Sequence, residues 1–211
     1  MTSKHITRKG RMHALPRVAA LSVMRQEVFM RNLSIVLIFI SYLPLVSLAD
    51  QQSVVPLKVG NEWNYVVNNS EDNIRKSEIL KKETIDGVDW YLSQEFGDLF
   101  WVSNQEAGQF EAINSFGEMK LQSDPLEQEL ILKFHDGKKF SYSTSGGDIQ
   151  VEPCEEKLVV PAGEFECVKY TFDLGGGDYS VSYYSVGVGL IKNEFKTNES
   201  VEVSELSSFK L

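Results

Sequence analysis

From Val54 onward the sequence alternates, and this constrains the fold more than any other feature. Short runs with an apolar or aromatic residue at every second position recur at roughly ten-residue spacing, separated by turn residues. Asn61 to Val67 carries Trp63, Tyr65 and Val67 at period two. Residues 76–85 end on Asp86-Gly87, after which Val88, Trp90 and Leu92 alternate with polar neighbours. An Asp-Gly dipeptide between two such runs predicts a hairpin. Further runs follow at 99–102 and 110–113, and Phe116-Gly117 with Met119 and Leu121 predicts another short strand. Residues 129–134 and 139–143 flank a second Asp-Gly, Asp136-Gly137, and predict a second hairpin. Residues 149–160 and 164–174 flank Pro161-Ala162-Gly163, residues 179–186 and 188–195 surround Gly187, and 201–209 forms the last run. No segment sustains a 3.6-residue period over a dozen residues; the best helical stretch, 124–133, overlaps a strand. The predicted fold is all-β: a curved antiparallel sheet, half-barrel or barrel of about 11–13 strands, after an N-terminal signal segment.

Residues 31–49 supply that segment. Arg31 opens it, an apolar core runs from Ile35 to Val46, and Ser47-Leu48-Ala49 places small residues at −3 and −1 of a cut before Asp50. Ser41, Tyr42 and Pro44 break the apolar run short of the ~20 residues that span a bilayer. Cleavage after Ala49 is expected, giving an exported protein, periplasmic or secreted, with no stable membrane anchor afterwards. No Cys follows the apolar core, so lipoprotein processing is not expected. Residues 1–29 are basic and fit no structural period; they read as an over-called start or a long leader, with Met30 or Met24 as alternative starts. The division is thus 1–49, leader and signal peptide, and 50–211, a single β-rich domain.

The leader holds 7 of the 21 basic and 1 of the 30 acidic residues. The remainder carries 14 against 29, a formal net charge of −15. Such a surface argues against a nucleic-acid partner, which needs a basic face, and repels an anionic membrane. It would suit a basic protein partner.

The catalytic inventory is thin. After the leader the only histidine is His135, beside the Asp136-Gly137 turn, and no Gly-x-Ser-x-Gly precedes a helix, so no catalytic residue is assigned. One His and two Cys make a poor zinc set, so no metal or cofactor is expected. Gly175-Gly176-Gly177-Asp178 lacks the Lys-Ser/Thr ending of a phosphate loop. Paired carboxylates could serve a glycoside hydrolase, but so many acids make such a pair uninformative. Cys154 and Cys167 are expected to pair in an exported protein. A simple hairpin about Pro161 argues the other way: it sets Cys154 opposite Thr171, leaving the two cysteines about 13 Å apart, beyond a disulfide's reach.

Three blocks carry a resemblance. They are Pro56 to Tyr65, with Gly60, Trp63 and Tyr65; Val160 to Cys167, with Pro161, Gly163 and Phe165; and Tyr183-Tyr184 followed by Gly187 to Lys192, with Gly187 and Gly189. In this order they resemble a family of exported bacterial β-sheet proteins of unknown function, similar in style to periplasmic lipoprotein carriers and the DUF3108 group. The resemblance implies a curved antiparallel sheet and an exported location, and no activity. The residues themselves read as structural: Pro161 and Gly163 suit a tight turn, from which Phe165 would return to the core, and Gly187 and Gly189 suggest a bulge or close backbone approach. A weak repeat, Gly-x-x-aromatic-x-Tyr, links Gly60–Tyr65 with Gly137–Tyr142.

The leading functional expectation is a non-catalytic binding or carrier protein for a lipid or other apolar small molecule. Trp63, Tyr65, Trp90 and Leu92 are the candidate apolar wall of its interior. The alternatives are a protein-interaction module with an acidic surface and, behind it, a carboxylate-using hydrolase.

Overall fold

The computed structural model describes residues 53–211. The leader and the expected cleavage site lie outside the described residues. Fourteen strands follow in order: β1 (Glu62–Val67), β2 (Ser70–Ile85), β3 (Val88–Glu95), β4 (Asp98–Gln105), β5 (Gly108–Ala112), β6 (Gln128–Lys133) and β7 (Phe140–Thr144). Then come β8 (Gly147–Pro153), β9 (Leu158–Val160), β10 (Gly163–Phe165), β11 (Val168–Gly175), β12 (Asp178–Ser185), β13 (Gly189–Lys196) and β14 (Val201–Lys210). Twelve of them form one antiparallel sheet, in the order β6-β5-β4-β3-β2-β1-β14-β13-β12-β11-β8-β7, while β9 and β10 make a separate hairpin. The all-β expectation holds, and the sheet curls almost into a closed barrel.

Because neighbouring strands run up and down in turn, the connections fall at two ends. The upper end carries the turns at 68–69, 96–97, 145–146 and 176–177 and the 113–127 segment. The lower end carries residues 53–61, the Asp86-Gly87 turn, the 134–139 connection and the 154–167 excursion with its hairpin. The two edges, β6 and β7, do not pair as strands. Side chains close the gap instead: the Tyr142 hydroxyl of β7 donates to the Ile131 carbonyl at 3.1 Å, and the Tyr170 hydroxyl of β11 reaches across to that of Lys133 at 2.8 Å. The Ser145 hydroxyl adds a bond of 2.8 Å to Glu129. These bonds stand where a ladder would otherwise satisfy the edge.

Three apolar clusters hold the fold. The first joins Trp63, Tyr65, Ile79, Val160, Cys167, Ile191 and Leu206, and the second Val54, Leu132, Val151, Val168 and Tyr170. Both lie within the curve of the sheet. The third, Trp90, Leu92, Trp101, Ala112 and Leu121, lies on the outer face of β2–β5. There the 113–127 segment covers it, with the Trp101 indole N–H donating to the Glu118 carbonyl at 3.0 Å.

Three expectations are corrected. Asp136-Gly137 does not turn a hairpin: β6 pairs with β5 and β7 with β8. The link between β6 and β7 is a longer connection, in which the Lys138 amide donates to Asp136 and the Gly137 amide to His135 Nδ1. Residues 116–121 are not a strand; Ile113–Ser115 forms a 3-10 turn, and Ser115 Oγ accepts the Gln122 amide at 2.8 Å to hold the covering segment. The long hairpin about Pro161 is divided, since Pro153 ends β8 and the chain makes the short β9–β10 hairpin before β11 begins. Proline has no amide to continue a ladder.

Candidate functional site

Alternation along β1 turns Trp63, Tyr65 and Val67 inward, all nearly inaccessible to solvent. Pairing carries that face across the sheet. Trp63 lies opposite Ser77, Ser77 opposite Glu95, and Ile79 opposite Ser93. Directly paired residues share a face and successive residues oppose each other. Ser93 and Glu95 therefore face the interior while Leu92 faces out, where it pairs with Trp101. The candidate wall is thus divided by the sheet: Trp63 and Tyr65 line the interior, whereas Trp90 and Leu92 belong to the outer cluster.

The interior holds a cavity of about 200 Å³. Trp63, Tyr65, Ile79, Leu132, Tyr184 and Leu190 give it an apolar and aromatic wall, into which Ser77, Ser93, Gln109 and Glu95 bring polar groups. Val55 and Leu57 reach it from the N-terminal segment. That segment is pinned in place: Asn104 Nδ2 donates to the Val55 carbonyl at 2.8 Å, Asn61 Nδ2 to that of Pro56 at 2.9 Å, and the Gly187 amide to that of Ser53 at 3.0 Å. The aromatic walls are oriented by their polar ends. Trp63 Nε1 donates to the Val188 carbonyl at 2.6 Å and the Tyr65 hydroxyl to that of Leu190 at 3.0 Å. Gly189 beside the Trp63 indole takes a φ of +103°, a conformation that L side chains rarely adopt.

Glu95 ends β3 on the upper side of this cavity. Its carboxyl retains access to solvent yet is surrounded by protein, and this desolvation pushes its pKa above the ordinary glutamate value, opposed by the Ser93 hydroxyl, which donates to it at 3.0 Å. Ser93 is its one side-chain partner among the described residues. The nearest guanidinium, Arg75, is engaged elsewhere, in a two-pronged pair with Glu202 at 2.6 and 2.9 Å, and stacks over Phe96. Glu111 is also pushed up, first by burial and then by the charges of Glu95 and Glu129. Burial raises Tyr65 and Tyr184, with the Glu95 charge adding to both.

The other expected site residues fall elsewhere. Cys154 and Cys167 form a disulfide with Cα atoms 5.4 Å apart. The register explains it: Pro153 pairs with Val168, and the Cys154 amide donates to the Cys167 carbonyl at 2.9 Å. Gly60 turns into β1, with its amide donating to the Ile79 carbonyl at 2.9 Å. Pro161 lies in the turn that Gly163 completes, and Phe165 stands edge-on to Phe209 at the margin of the first cluster. Gly187 lies in the β12–β13 turn. His135 is half-buried and borders a second cavity of about 560 Å³ beside the disulfide, with Glu155, Glu156 and Glu166. Burial lowers its pKa, against the pull of Asp136, and its Nδ1 accepts the Gly137 amide at 3.1 Å, a loop-holding role. Among the described residues no three His, Cys, Asp or Glu side chains converge as a metal site.

No protein-family model matches the chain, the DUF3108 group included, and no curated protein matches it in sequence. Among solved structures it is similar to a candidate lipoprotein of Parabacteroides distasonis ATCC 8503, at 15% identity and TM-score 0.35, over 75% of this chain and 99% of that one. It is also similar to a candidate exported protein with a YmcC-like fold from Bacteroides fragilis NCTC 9343, at 14% identity and TM-score 0.35, over 74% and 98%. Both likenesses are too loose to bear on what this chain does.

Proposed function

We propose that this chain is an exported, non-catalytic binding protein whose barrel interior takes a small ligand with an apolar body. The observation that carries the reading is the interior cavity, where aromatic and aliphatic side chains converge with a few fixed polar groups. The lower end supports it, since the pinned N-terminal segment gives the cavity a floor. Export is supported by the signal-like pattern ending at Ala49 and by the disulfide, a bond that persists in oxidising compartments. The cavity is smaller than the ~300–1,000 Å³ of drug-sized sites, so the ligand is compact or inserts only one end.

The test is titration of the purified domain with a neutral apolar fluorophore, in parallel with Trp63→Phe. Saturable uptake, weakened when Trp63 loses its Val188 bond and part of its wall, supports the reading. Absence of uptake by the folded protein overturns it.

A further inference from the structure

We propose that the interior cavity selects a cationic amphiphile, a small molecule with a protonated amine at one end of an apolar body, and that the Glu95 carboxylate takes the amine. This deepens the binding-protein reading and rests on it. Three observations meet at one place. The cavity wall is aromatic near Glu95: Trp63, Tyr65 and Tyr184 line it. Aromatic faces attract cations, most strongly where water is excluded.

Second, Glu95 has acceptor capacity to spare. Ser93 occupies Oε1 with one hydrogen bond, and no basic side chain of the described residues forms an ion pair with the carboxyl. A solvent-accessible carboxylate at the cavity's edge with no ion-pair partner leaves room for a ligand that brings the cation. A protonated amine supplies both the charge and three N–H donors.

Third, the surrounding charges have one sign. Glu111 feels both Glu95 and Glu129, its partner across the β5–β6 ladder, while the positive charge of Arg75 is matched by Glu202. An anionic head such as a fatty-acid carboxylate would enter against like charge. The acidic interior thus argues against the simplest lipid ligand, a fatty acid, and for its cationic counterpart.

The experiment compares octylammonium, octanol and octanoate as competitors of a neutral apolar fluorophore, on the wild-type domain and on Glu95→Gln at pH 7. The expected result is octylammonium binding at least about tenfold tighter than octanol, octanoate weakest, and Glu95→Gln abolishing the ammonium preference. A circular dichroism spectrum and a thermal melt of the variant report whether it is folded. Octanoate binding as well as octylammonium, or an ammonium preference that survives Glu95→Gln, overturns the assignment while the binding-protein reading stands. No competition by any of the three overturns both.

Discussion

Trp90 and Trp101 are fully buried in the same outer cluster, yet only one indole N–H has a protein partner. Trp101 donates to the Glu118 carbonyl, while Trp90 Nε1 finds no acceptor. Phenylalanine in either place removes similar apolar bulk, but at Trp101 it also removes the Glu118 bond and weakens the stack of the Lys81 ammonium, 4.8 Å from the ring. Trp101→Phe is expected to cost about 1 kcal/mol more than Trp90→Phe in denaturant unfolding, because it also orphans a carbonyl. Equal costs would mean that neither the Glu118 bond nor the Lys81 stack contributes. Two glutamates provide a second contrast, in pH dependence. Glu95 holds its proton more tightly folded than unfolded, because the protein around its carboxyl raises its pKa although the residue keeps access to solvent. Its effect is therefore destabilising at neutral pH and disappears as the pH falls below the unfolded value. Glu152 is the reverse: the ammonium groups of Lys139, at 2.7 Å, and Lys169 hold its pKa down, from 4.5 to about 2. Its contribution is present above the unfolded value and is lost as the pH falls through about 2. Glu95→Gln should then raise the melting temperature at pH 7 and leave it unchanged at pH 3. Glu152→Gln should lower it at pH 7, and the loss should shrink as acid is added. Melts at several pH values check both signs.

Among the elements, β6 is one of the two edge strands of the sheet. It pairs with β5 on one side, and on the other it meets β7 and β11 through tyrosine hydroxyls. Removing both hydroxyls, in a Tyr142→Phe/Tyr170→Phe variant, removes two bonds of about 0.5–1.5 kcal/mol each. Amide exchange in residues 128–133 is then expected to quicken by roughly 10–100-fold, with β12–β14 unchanged. Uniform acceleration across the sheet would show that the seam is not a local unit. The other side of β6 depends on Gly108. Its φ is +154°, and an added Cβ would collide with the Leu132 carbonyl oxygen and crowd a Leu130 methyl. Backbone cannot swing aside as a side chain can, so Gly108→Ala is expected to cost about 1–3 kcal/mol and to loosen the same six residues. Thermal melts and exchange on the one variant test this directly. Since Ile131 and Leu132 line the cavity, either lesion should also weaken uptake of an apolar probe.

At the scale of the whole domain, much of the strand pattern was legible because alternation reports burial directly: Trp63, Tyr65, Trp90 and Leu92 are all buried. What alternation cannot report is which face is inside. Residues 90 and 92 share a face, as do 63 and 65, but the pairing through β2 decides whether the two faces coincide, and here they do not. A barrel with a second apolar cluster on its outside defeats the inference from apolar to interior. Glu95 was hidden for a related reason, since nothing but curvature distinguishes it from the many other acids of the chain. The cysteines illustrate the same limit. Counting back from Pro161 assumes one continuous hairpin, whereas the chain extrudes β9 and β10 and resumes pairing at Val168, which brings Cys154 beside Cys167. That disulfide spans 13 residues of sequence at the lower end. In the chain-entropy picture, closing a loop of that size removes about 3 kcal/mol of freedom from the unfolded chain. A domain of this length shifts its melting temperature by about 2–4 °C for each kcal/mol, so reduction is expected to lower it by about 6–12 °C. It should leave the fold intact below the transition, because twelve strands remain paired and the hairpin keeps its Ala162 amide bond to the Leu206 carbonyl of β14 at 2.9 Å. Calorimetry with and without a phosphine reductant, with thiol labelling to confirm the redox state, measures the difference. A shift under 2 °C in protein verified as reduced would mean that the extruded hairpin already restrains the 154–167 segment without the bond.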